Sequence, residues 1–208
     1  MKKIILFIIL IGLFACATNE DIFTAAQNGH IHVVKYLISK GADIHVRDKN
    51  DYTILMYAAF GGNINIVKFL IDKGADIHEK TKTGYTVLMS ASYGGNLDVV
   101  KYLIEKGVDI YAKDKDGGTI LMYAARSGHL ETLKYFAQSG LDILEKDKKN
   151  NTALMSAARS GKLDVVKYCV EKGVPINVRD KEGLTALAYA KKGKFDDVAA
   201  YLSSLGAK

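Results

Sequence analysis

Glycine stands at positions 41, 74, 107, 140, 173 and 206, and this unbroken 33-residue period limits what the chain can become more than any other feature. Other rows keep the same step. Threonine falls at 53, 86, 119, 152 and 185, leucine at 55, 88, 121, 154 and 187, and an aromatic at 36, 69, 102, 135, 168 and 201. A lattice of this kind is one supersecondary unit written repeatedly, each copy burying its apolar side against the next. The 208 residues therefore predict a stack of units in place of one or two closed globules.

Within a unit, Leu55, Met56, Ala58 and Ala59 offer a small apolar face for a first helix that Gly61 and Gly62 end. Ile64, Ile66, Val67, Leu70 and Ile71 recur at three- and four-residue spacings, which predicts a second, amphipathic helix stopping before Gly74, a suitable left-handed cap. A polar stretch follows. Its tip is Asp51, Gly84, Gly117, Asn150 or Gly183 in successive copies, only residue types that tolerate positive φ, so a tight turn is expected there. The threonine two residues on is placed to cap the next helix.

Thr53-Ile54-Leu55-Met56-Tyr57-Ala58 and its copies match the pattern T-P-L-H-x-A, and Gly-Ala-Asp-Ile occurs at 41 to 44 and 74 to 77. From residue 21 to 208 the chain thus resembles the ankyrin-repeat family. The resemblance implies an all-α ankyrin-repeat solenoid, helix-turn-helix repeats joined by β-turn or hairpin-like loops. Six repeats are expected at approximately 21–50, 51–83, 84–116, 117–149, 150–182 and 183–208. At about 10 Å each they make a curved rod of about 60 Å. The end units differ: Glu20 stands where the first threonine belongs, Gly193 comes one residue early and Lys191 replaces the second alanine, as capping units do. The signature proline is replaced throughout by Ile, Val or Ala. The signature histidine has become Met56, Met89, Met122, Met155 or Ala188, so a hydrogen-bonding row is now mostly a polarizable apolar one.

The N-terminus carries a separate message. Met1-Lys2-Lys3 precedes an apolar run from Ile4 to Phe14, with small residues at 15 to 17, the layout of an export signal over 1–15 with a short linker at 16–20. The run is too short for a permanent span, which needs about 20 apolar residues. Leu13-Phe14-Ala15-Cys16 resembles the lipobox of bacterial lipoproteins, which implies acylation of Cys16 and a membrane-tethered mature protein in the bacterial cell envelope. Ala15-Cys16-Ala17 also satisfies an A-x-A cleavage rule, which instead yields a soluble periplasmic or secreted protein acting on a host or envelope protein. The formal charge of +6, which falls by two when Lys2 and Lys3 leave, is too small and too scattered to indicate nucleic-acid binding.

Neither a phosphate-cradling loop nor a nucleophile beside a base is visible, so no enzymatic activity and no cofactor are expected. His45 and His78 lie one period apart, about 10 Å, too far to share a zinc ion with bonds near 2 Å, and no metal is expected. His30 and His129 follow the inter-helix glycine and read as structural, His32 as solvated. Cys169 falls in the row of Leu37, Leu70, Leu103, Phe136 and Leu202 and reads as an inert core thiol. The lysine rows at 35, 68, 101, 134 and 167 and at 49, 82, 115, 148 and 181 read as solvated faces.

The resemblance implies binding of a protein partner, by a monomer, through the turn tips and the exposed end of each first helix. At the helix end the row runs Phe60, Tyr93, Arg126, Arg159 and Lys192. At the tips, Tyr52 and Tyr85 give way to Gly118, Asn151 and Leu184, with Lys148 and Lys149 beside them to steer an acidic partner. Aromatic and arginine side chains carry most interface energy, so Tyr52, Phe60, Tyr85, Tyr93, Arg126, Lys148, Lys149, Asn151 and Arg159 form the candidate binding face.

Overall fold

The computed structural model describes residues 21–208; the leader, its alternative cleavage points and Cys16 lie outside the described residues. Among the described residues, twelve helices follow one another in six pairs. They are α1 (Ile22–Asn28), α2 (Ile31–Ser39), α3 (Ile54–Phe60), α4 (Ile64–Asp72), α5 (Val87–Gly94), α6 (Leu97–Glu105), α7 (Ile120–Ser127), α8 (Leu130–Gln138), α9 (Ala153–Arg159), α10 (Leu163–Glu171), α11 (Ala186–Lys192) and α12 (Asp196–Ser204). Among the described residues there is no strand, only isolated antiparallel bridges pairing Arg47 with Thr53 and Lys80 with Thr86 where tip loops fold back. The molecule is an all-α repeat solenoid, as the periodicity predicts.

Each local signal has its expected partner. Thr53, Thr86, Thr119, Thr152 and Thr185 adopt extended backbone, and each hydroxyl accepts from the N–H three residues on at 3.2–3.4 Å. In the first unit Asp21 takes over this work, accepting from Phe23 and Thr24 at 2.9 Å. All five tip residues have positive φ, including non-glycine Asp51 (74°) and Asn150 (65°). Tips are also chained to one another. The Lys115, Lys148 and Lys181 N–H groups donate to the Thr83, Asp116 and Lys149 carbonyls of the preceding tips at 2.8–2.9 Å.

The last unit breaks one rule. Where Gly29, Gly62, Gly95, Gly128 and Gly161 close the earlier first helices at positive φ, the equivalent residue is Lys194, held at φ 57°, while Gly193 stands in the row of Gly61 and Gly94. A side chain in this region costs about 1 kcal/mol relative to glycine. Lys194→Gly is therefore expected to stabilise the protein by about 0.5–1 kcal/mol, read as a higher urea midpoint at unchanged slope.

Odd-numbered helices form the inner layer and pack most closely, while even-numbered helices lie behind them, and the main contacts link neighbouring units. One continuous core results. It includes Met56, Met89 and Met155, at most 1 % exposed, which fill the row left by the signature histidine. Cys169 is fully buried and its thiol is pushed up to about 12 by burial alone, which keeps it protonated and unreactive.

The outer lysines do more than solvate a face. Lys35 lies over the Phe69 ring, Lys68 over Tyr102, Lys101 over Tyr135 and Lys167 over Tyr201, each 5.2–5.9 Å from a ring one unit on. Such contacts at exposed sites contribute about 0.5–1 kcal/mol each and staple successive second helices together. Lys134 departs from the row and pairs with Glu131 at 3.0 Å.

Candidate protein-binding groove

The inner ends of the first helices and the chained tips line a groove with three connected hollows. The first, about 240 Å³, is aromatic: Tyr52, Tyr57, Phe60, Tyr85 and Tyr93 surround Met56 and Ser90. A second, about 510 Å³, shares Phe60 and Tyr93 with it and continues over Asn96, Arg126, His129 and Lys162. The third, about 550 Å³, shares Arg126 and reaches Asn151, Arg159 and Tyr189 beneath the tips of the later units.

Aromatic rings meet tilted or edge to face along the first four units. Phe23 meets Tyr57 at 5.2 Å, Tyr52 meets Tyr85 at 5.4 Å and 68°, and Tyr85 meets Tyr123 at 5.0 Å and 81°. Tyr85 consequently departs from the expected presentation at a tip. It is only 8 % exposed, wedged between its neighbours, and burial raises its phenol well above the ordinary value. Phe60 and Tyr93 instead stack at 5.9 Å and 22°, half-buried, with their upper faces on the groove.

The tips are rigid because an acidic residue at the start of most of them organises its own turn. Asp48 accepts from the Asn50 and Tyr52 N–H groups, Asp114 from Gly118, Asp147 from Lys149 and Asn151, and Asp180 from Glu182 and Leu184, all at 2.8–2.9 Å. In alternate units a tyrosine on the first helix completes the arrangement. Tyr57 donates to Asp48 at 2.8 Å, Tyr123 to Asp114 at 2.6 Å and Tyr189 to Asp180. Burial, then the bond to Asp48, raises the Tyr57 phenol to about 12. Burial pushes the Asp180 carboxyl up, but the Tyr189 hydroxyl and the two backbone donors outweigh it, so the net shift is downward. This tyrosine row was legible as an aspartate with a tyrosine nine residues later, at 48/57, 114/123 and 180/189, a spacing that the helix-end reading does not use.

Of the sequence-predicted face, Tyr52, Phe60, Tyr93, Arg126, Asn151 and Arg159 line these hollows. Arg159 is already engaged, lying 4.0 Å over the Tyr189 ring and donating to Asn151 at 3.4 Å. Lys149 also lines the third hollow and stands 3.7 Å from Asp116, an exposed pair that contributes little. Lys148 turns back onto the Lys115 carbonyl at 2.7 Å. Arg126 keeps its guanidinium exposed, and among the described residues no carboxylate stands within ion-pair distance of it.

Sequence reasoning missed the row after the inter-helix glycine as part of the groove. Asn63, Asn96, His129, Lys162 and Phe195 each lay a side chain over the glycine of the preceding unit, where a Cβ would occupy the same space. Asn63 also donates to the Ala26 and Gln27 carbonyls at 3.1 and 2.9 Å. For His129 the structural reading extends to its charge state: desolvation, then Lys162, lowers its pKa, and a bond to the Tyr93 backbone only partly opposes them. The sign follows directly. With the folded value below the unfolded one, about 6.5, the unfolded chain takes the proton first and stability falls as pH drops below that value. His129→Asn, the residue that Asn96 supplies one unit earlier, is expected to remove this part of the loss between pH 7 and 5. Urea midpoints of both proteins across that range check it.

Among the described residues, no group of three or more His, Cys, Asp or Glu side chains is placed to hold a metal ion, and no helix is long and apolar enough to cross a membrane. The sequence profile described as Ankyrin repeats matches in three overlapping copies, at residues 22–114, 73–147 and 121–208. The chain belongs to the ankyrin-repeat family. No curated protein matches it significantly. Ankyrin repeats are protein–protein interaction scaffolds and generally non-catalytic, so this ankyrin-repeat protein is an interaction scaffold for a protein partner.

Proposed function

We propose that the protein is a non-catalytic interaction scaffold exported to the bacterial envelope, tethered through Cys16, and that it binds its protein partner in the groove running from Phe60 to Arg126. The observation that carries the binding reading is the continuity of the hollows: a stacked aromatic pair opens without a break onto an arginine that has no carboxylate partner among the described residues, the two residue types that dominate interface energy. Export and tethering rest on the leader alone, with its positive start, apolar run and lipobox-like Leu13-Phe14-Ala15-Cys16.

Two experiments test these parts separately. Capture of partners by the wild-type protein is compared with Phe60→Ala, Tyr93→Ala and Arg126→Ala; at least one substitution is expected to weaken the complex by about tenfold or more, and unchanged capture by all three rejects the groove. Metabolic labelling with a fatty acid in a bacterial host is expected to mark wild type and not Cys16→Ala. Equal label in both, or none in wild type, rejects the tether in favour of a soluble secreted or periplasmic protein.

A further inference from the structure

We propose that the middle of this groove receives an acidic peptide segment, with a carboxylate side chain between Arg126 and Lys162 and a bulky apolar side chain on the Phe60–Tyr93 stack. The inference rests on the groove being the binding face and adds the chemistry of its occupant. Charge complementarity is the argument. The middle hollow is lined by Phe60, Tyr93, Asn96, Arg126, His129 and Lys162 with small residues between them, and among the described residues no aspartate or glutamate lines it.

The neighbouring hollow shows why this matters. It holds Asp114, Asp147 and Asp180, whose oxygens accept from tip N–H groups and from the Tyr123 and Tyr189 hydroxyls, together with Asp116, which pairs with Lys149 at 3.7 Å, and Glu182, and there Arg159 is stacked on Tyr189. Arg126 has neither kind of partner, and its guanidinium suits bidentate binding of a carboxylate. Lys162 is held nearby by packing, its stem lying across Gly128 so that a Cβ there would meet its Cδ at 2.6 Å. The His129 ring, resting on Gly95, lines the same hollow without adding a negative charge. On the other side the aromatic stack presents an apolar shelf continuous with the Tyr52–Tyr85 hollow. A ligand that satisfies both halves carries Asp or Glu beside an aromatic or large aliphatic residue.

A displayed library of random linear peptides, selected on the wild-type protein, supplies the probe. Enriched peptides are then measured individually against wild type, Arg126→Ala, Lys162→Gln, Phe60→Ala and, as the loss of a basic residue on the outer face, Lys35→Ala, each first shown to be fully folded under the binding conditions. The expected result is enrichment of Asp or Glu next to a bulky apolar residue, with affinity about tenfold weaker in Arg126→Ala and in Lys162→Gln, weaker at high salt, and unchanged in Lys35→Ala. Peptides without acidic enrichment that lose affinity only in Phe60→Ala overturn the acidic assignment and leave the groove standing. Peptides indifferent to all the groove variants, or no enrichment at all, overturn both. Arg126-dependent binding of an oligonucleotide or of phosphatidylglycerol vesicles, in the absence of any such peptide, overturns the proposal in favour of a different anion.

Discussion

Phe136→Ala is expected to lower the free energy of unfolding by about 3–5 kcal/mol. Among the described residues Phe136 is the largest fully buried side chain, in the last turn of α8 in the fourth unit. In a stack, stability is approximately the sum of unit terms and neighbour terms, so a cavity here weakens the interfaces on both sides of one unit. The same row explains why phenylalanine is tolerated at all. Leucine fills it at 37, 70, 103 and 202, while the unit after Phe136 carries the smaller Cys169, also fully buried, so a large and a small side chain alternate across one interface. Cys169→Leu alone is therefore expected to overpack by about 1–3 kcal/mol, and Phe136→Leu with Cys169→Leu to recover most of that loss. Urea denaturation of the two single variants and the double variant checks this; strict additivity rejects the compensation.

Gly94→Ala is expected to destabilise by about 1–3 kcal/mol although alanine favours a helix by about 1 kcal/mol over glycine. The reason is the close approach of α5 to α3: a Cβ on Gly94 falls inside contact distance of the Phe60 carbonyl, and Gly61 stands in the same relation to the Gln27 carbonyl. The next two units hold Ser127 and Ser160 at the equivalent position and the last holds Gly193. The Phe60–Tyr93 stack lies directly over this contact, which ties the variant to function: it is expected to weaken peptide capture as well as stability. Ser127→Ala, whose hydroxyl bonds only carbonyls of its own helix, is expected to change stability by less than about 0.5 kcal/mol. Thermal and urea midpoints with a capture assay on both variants decide the matter.

What the sequence made legible follows from how many atoms each feature depends on. Tip turns, glycine caps and threonine caps depend on one residue's own backbone or hydroxyl, and all were readable, with Asp51 and Asn150 adopting the positive φ that their residue type suggests. The groove was readable at Phe60, Tyr93 and Arg126 because an exposed helix end varies from unit to unit. Tyr85 was readable as a lining residue too, but its near-complete burial was not, since that depends on two rings contributed by other units, Tyr52 and Tyr123. Lys162 and His129 were passed over for a similar reason. Each packs on a glycine of the unit before it, and a row read down one repeat does not reveal a side chain that leans into the next.

Because the main contacts run only between neighbouring units, the six pairs need not open together. Among the described residues the first and sixth pairs each have one neighbouring pair, so their amide protons are expected to exchange first, while the second to fifth hold the middle hollow. A complex seated over those inner pairs outlives such fraying, and the terminal helices can loosen and reseal many times during one residence of the bound chain.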